Sequence, residues 1–114
     1  MGNQIQIVGC IEAVIQDNIL NKELINNLEM KILHSKLFSE PVDQYDFSMI
    51  SFCAGVRGYA EDWDEYLHFV EKVFYELKFV VIIMFVSIEG GGGLKYEYVR
   101  IGDNIKKNIY ELQG

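Results

Sequence analysis

Phe79 to Val86 is an unbroken run of eight apolar residues, rich in Val and Ile. It is far too short to span a bilayer as a helix, and its β-branched content favours extended backbone. Such a run predicts a strand covered on both faces. A chain that must cover a strand needs further layers, so the fold class becomes a sheet with helices packed against it.

The flanking segments supply those layers. Glu61 to Lys78 carries Trp63, Tyr66, Leu67, Val70, Val73, Phe74 and Leu77 at the spacing of one helical stripe. Leu20, Leu24, Ile25, Leu28, Ile32 and Leu37 recur at helical spacing before Pro41 and predict a second amphipathic helix. Asp17, Asn18 and Asn21, ahead of most of that stripe, read as turn or N-cap residues.

Three more strands complete the pattern. From Gln4 to Ile15, Ile5, Ile7, Ile11, Ala13 and Ile15 alternate with polar positions such as Gln4, Gln6 and Glu12. This is the period of a half-buried strand, with Gly9 as a bulge or a close-packing point. Asp46 to Val56 is apolar on both faces and predicts a central strand. Leu94 to Ile101 follows the glycine run Gly90 to Gly93 and reads as the hairpin partner of Phe79 to Val86. Asp103 or Asn104 could cap a short C-terminal helix carrying Ile105, Ile109 and Leu112. The expected fold is therefore α/β, as a two-layer α+β sandwich: a four-stranded mixed sheet in the order β-α-β-α-β-β-α, with two long helices and one short one. The 114 residues, half of them apolar, suit a single domain spanning 1–114.

The chemistry-bearing residues do not assemble into a known catalytic pattern. No serine sits in a nucleophile-elbow context, and the only histidines are His34 and His68. His68 follows Asp64 by one helical turn, an ordinary surface pairing. Gly90 to Gly93 lies between two strands, not between a strand and a helix N-terminus, so the phosphate-cradling patterns are not met. Cys10 and Cys53 stand alone in apolar segments with no C-x-x-C spacing, which predicts two buried free thiols in a reducing cytoplasm. No enzyme activity, cofactor or metal site is expected. The N-terminus lacks the basic start of a signal peptide, and no stretch is long and apolar enough to span a membrane.

Charge is the informative feature. The net charge is −7, which is opposite to what a nucleic-acid binder needs. Between Ser39 and Glu65, Glu40, Asp43, Asp46, Glu61, Asp62, Asp64 and Glu65 are offset only by Arg57, so six of the seven net charges lie within 27 residues. Ser39 to Asp46 enters a strand and Glu61 to Glu65 follow its exit, so the acids form one patch or two at opposite ends of the sheet. The exit segment mixes carboxylates with Arg57 and Tyr59, residue types that anchor interfaces. In size, acidity and lack of catalytic equipment the chain resembles immunity proteins that neutralise bacterial toxins. That resemblance implies an inhibitor of a basic protein such as a nuclease, in keeping with a negative face that steers cationic partners. The expected contacts are Arg57, Tyr59, Glu61, Asp62, Asp64 and Glu65. Seven Asn and fourteen Ile suit an AT-rich bacterial genome.

Two alternatives compete. Arg57, Tyr59 and the Gly90–Gly93 hairpin could surround a small-molecule or enzymatic pocket. Leu94 to Ile101 could instead be a sheet edge through which a homodimer pairs.

Overall fold

A computed structural model describes residues 3–32, 38–58, 60–88 and 91–112. The chain runs β1 (Asn3–Val14), α1 (Ile15–Ile32), β2 (Val42–Gln44), β3 (Phe47–Gly58), α2 (Ala60–Glu76), β4 (Val81–Ile88), β5 (Gly93–Ile101) and β6 (Asn104–Leu112). All strands pair antiparallel in one six-stranded sheet of order β2-β3-β1-β4-β5-β6. The first six elements make the split β-α-β-β-α-β arrangement, in which β1 separates β3 from β4. The β5–β6 meander then widens the sheet beyond β4. Among the described residues no helix is long and apolar enough to cross a membrane.

The expected four-stranded mixed sheet with three helices is thus replaced by a six-stranded antiparallel sheet with two. The C-terminal helix is strand β6. Ile105 and Ile109 are compatible with either period, and the hairpin decides between them. Gly102 takes φ +60 as the first residue of the two-residue loop Gly102–Asp103, the backbone that a tight hairpin requires. A second tight hairpin, Tyr45–Asp46 between β2 and β3, places Tyr45 at φ 58. Because β6 pairs with β5, the segment Leu94–Ile101 is an interior strand rather than a sheet edge; the edges are β2 and β6.

Both helices cover the same face of the sheet. Beneath them Ile5, Ile7, Ile11 and Ala13 of β1, Ile50 and Phe52 of β3, and Ile82, Met84 and Val86 of β4 form one buried core. Val70, Val73 and Phe74 of α2 and Leu77 just past its end close it, matching the stripe in the sequence. An aromatic series crosses this core, Phe38 to Phe52 to Phe74 to Tyr98, with ring centroids 5.3, 5.5 and 5.4 Å apart. Gly9 is a close-packing point and not a bulge: its register with Phe52 and Met84 is continuous, and Phe52 fills the space a side chain would take.

The expected stripe of α1 is only partly realised. Leu20 is exposed, and the buried positions among the described side chains of α1 are Asn18, Asn21, Lys22 and Ile25. Asn18 and Asn21 lie inside the helix rather than ahead of it. The reason is the demand of nearby backbone for partners. Asn18 Nδ2 donates to the Ser48 carbonyl at 2.8 Å. Asn21 donates to the Lys78 carbonyl at 2.6 Å and accepts from the Lys78 N–H at 3.0 Å. Lys22 Nζ donates to the Phe38 carbonyl at 3.2 Å. Leu28 and Ile32 fall where side chains are outside the described set, and His34 and Leu37 lie outside the described residues altogether.

Candidate functional site

The opposite face of the sheet carries no helix among the described residues. Antiparallel register fixes which side chains share it, because directly paired residues point the same way. Four rows cross the strands. One holds Val42, Met49, Glu12, Val81, Val99 and Lys106; the next holds Ser51, Cys10, Ile83, Glu97 and Asn108. Then come Cys53, Val8, Phe85, Lys95 and Tyr110, and finally Gly55, Gln6, Ser87, Gly93 and Leu112.

This geometry corrects the expectation that β4 is covered on both sides. Ile82, Met84 and Val86 are buried, whereas Phe85 is 41% exposed and Val81 and Ile83 are half-buried. Its neighbour Val8 on β1 is 55% exposed, and Met49 and Phe47 of β3 are also exposed. The apolar run therefore has two apolar faces but only one intramolecular cover. The cysteines are not buried either: Cys10 is half-buried and Cys53 exposed, one row apart on this open face. Partial burial, followed by the charge of Glu12, pushes the Cys10 thiol up, so it is not an activated nucleophile.

A hollow of about 640 Å³ lies at the β2–β3 end of the open face, lined by Glu12, Val42, Tyr45, Phe47 and Met49 among others. Its lining is mainly apolar, and it opens directly to solvent.

The predicted contact residues gather where β3 passes into α2. Arg57 is the penultimate residue of β3, paired with Gln4, and Glu61, Asp62, Asp64 and Glu65 occupy the first two turns of α2. Asp64 and Glu65 are exposed, and neither carboxylate makes a hydrogen bond or ion pair with another described residue. Tyr59 lies outside the described residues, as do the side chains of Arg57, Glu61 and Asp62. The remaining acids lie elsewhere. Asp43 and Asp46 are exposed at the β2–β3 hairpin, at the opposite end of β3. Glu40 sits 3.9 Å from Lys22. The acidic window is thus divided between the two ends of a twelve-residue strand.

The alternative pocket brings Arg57 and the glycine hairpin to one end of the sheet. The described hollows there are shallow, one lined by Gln4, Gln6, Ser87 and Ile88, another by Ile88, Gly92, Gly93, Leu94, Glu111 and Leu112. No enclosed cavity joins them among the described residues. Nor do three of His, Cys, Asp or Glu converge where an ion could sit, among the described residues.

One polar cluster was invisible before the strands were paired. Glu71 of α2 accepts a hydrogen bond from the Tyr98 hydroxyl at 2.7 Å and meets Lys107 Nζ of β6 at 2.6 Å. Lys107 also stands 5.7 Å from the Tyr96 ring centroid. Burial alone would raise the Glu71 carboxyl, but the bonds from Lys107 and Tyr98 outweigh it and hold the group below its usual range. Burial, then Glu71 itself, pushes the Tyr98 hydroxyl far up, so it stays a neutral donor. The cluster fastens α2 to β5 and β6 and offers no activated base. Arg100 has a similar role, donating to the Leu77 carbonyl just past the end of α2 at 2.8 Å while stacking on Phe79.

Comparisons of the chain with family models, with curated proteins and with solved structures give no match.

Proposed function

We propose that this chain is a binding protein of the immunity type, which neutralises a basic protein through the β3–α2 end of its sheet. The observation that supports this reading is the state of the carboxylates. Asp64 and Glu65 stand exposed without an ion pair among the described residues, as Asp43 and Asp46 do at the other end of β3. Only Asp64 and Glu65, however, adjoin two further carboxylates, Glu61 and Asp62, and the interface-type residues Arg57 and Tyr59 in sequence. Acids that the fold leaves unpaired remain available to a cation. Tyr59, Glu61 and Asp62 adjoin them in sequence and extend the contact, with Arg57 orienting the segment between strand and helix. Such a surface accelerates capture of a positively charged partner. Two unpaired cysteines fit action in the reducing cytoplasm.

The test is association with the product of the adjacent reading frame, measured at low and high salt. The on-rate falls by at least about tenfold between 50 and 500 mM salt, as it does for steered association. The double variant Asp64→Lys/Glu65→Lys loses most of that rate at low salt while keeping its fold. A partner that is itself acidic, or an on-rate indifferent to both salt and charge reversal, refutes the reading.

A further inference from the structure

We infer that the helix-free face of the sheet is a docking surface for a second copy of this chain. This is independent of the proposed basic partner, because its apolar centre lies on β1 and β4 and not at the start of α2.

Area is the first argument. Five strands spaced about 4.8 Å apart and four rows of outward residues about 6.8 Å apart give a face of about 24 Å by 27 Å, or about 650 Å² in projection. Side chains corrugate that face, so its accessible area is larger, and a stable complex buries about 800 Å² on each side. Its centre is apolar: Val8, Cys10, Ile83 and Phe85 lie on the two middle strands, flanked by Met49, Val81 and Val99. An exposed apolar centre rimmed by polar residues marks an interface.

Charge selects the occupant. Among the described side chains of the four rows, Glu12 and Glu97 balance Lys95 and Lys106, so the rows are neutral on a chain of net charge −7. A basic partner gains nothing there. Two like-charged copies meet with least repulsion on this face.

The register is also self-complementary. A two-fold axis lying across the strands, between the Ile83 row and the Phe85 row, interchanges those rows. It sets Ile83 against Phe85 and Cys10 against Val8 of the other copy. It also sets each Glu97 opposite Lys95 of the other copy, two rim charges of opposite sign. Face-to-face sheets packed about 10 Å apart bury such rows between them.

The mass in solution decides. Sedimentation equilibrium of the wild-type chain between about 1 and 100 μM gives a dimer, twice 13.2 kDa, dissociating on dilution. Phe85→Lys, at an exposed position, raises the dissociation constant at least a hundredfold with an unchanged circular dichroism spectrum. Val8→Lys does the same from the neighbouring strand and serves if Phe85→Lys fails to fold. A monomer throughout that range overturns the inference. So does a dimer that both folded variants leave intact, or a mass change that needs a different protein.

Discussion

Replacing Gly9 by alanine tests the packing on which both faces of the sheet depend. A Cβ at this position would stand 2.2 Å from the Ile83 carbonyl oxygen, 2.6 Å from Phe52 Cζ and 3.0 Å from Met84 Cα. Two of those neighbours are backbone of β4. The third is a ring held between Phe38 and Phe74, with no free direction in which to swing. Relief therefore requires β1 and β4 to separate or the aromatic series to shift. Overpacking of this kind costs about 1–3 kcal/mol, and a disturbed ring pair adds about 0.5–1.5 kcal/mol. The gain from a stiffer unfolded chain returns only about 0.4–1 kcal/mol. The expected net loss for Gly9→Ala is about 2 kcal/mol, measured by urea denaturation followed by far-UV circular dichroism. Gly55→Ala is the control. It lies on the open face, where the nearest neighbouring atom to an added Cβ is the flexible end of Gln4 at 3.4 Å, and should change stability by less than about 0.5 kcal/mol. Equal effects of the two substitutions, or a Gly9→Ala protein as stable as the wild type, would refute the close-packing account.

Two further outcomes follow from the polar contacts. Glu71 is held below its ordinary carboxyl range, so the unfolded chain binds its proton more readily and this group's contribution to stability rises with pH. That contribution is complete above the unfolded value of about 4.3 and fades as pH falls through the lower folded value. Glu71→Gln should therefore flatten the acid limb of a stability-versus-pH curve below about pH 4; an acid limb identical to wild type contradicts the assignment. Asn21→Ala strands both the N–H and the carbonyl of Lys78, at a cost of about 3 kcal/mol in the same urea assay; a loss under about 1 kcal/mol would show that these groups find other partners.

The sequence was most informative where one periodicity stood alone. The stripe of α2 and the alternation of β1 each admit a single reading, and the structure agrees with both. It misled where a pattern had two causes. Apolarity on both sides of β4 implied two covering layers of one molecule, yet the same pattern arises when the second cover is absent from the monomer. Ile105, Ile109 and Leu112 fit a helix, and the deciding signal was the Gly102–Asp103 pair, a hairpin turn in residue type as well as in backbone. Strand β2 left no comparable trace, because three exposed residues have no period and its turn uses Tyr45 where glycine or asparagine would announce it. The buried Asn18, Asn21 and Lys22 were hidden because their partners are backbone groups distant in sequence. For the same reason Glu71, Tyr98 and Lys107 could not be joined until β6 was paired with β5. The acidic window was legible as composition; its division between two ends of β3 needed the hairpin that β2 makes.

Whether the bare face of the sheet is an occupied surface in the working protein is read most directly from the cysteines that lie on it. The rate of Cys53 alkylation by iodoacetamide, followed by intact mass across protein concentrations, reports cover without any substitution. Burial of this face between two copies predicts that the rate falls progressively as concentration rises and recovers in Phe85→Lys. A rate that stays the same at every concentration would contradict it.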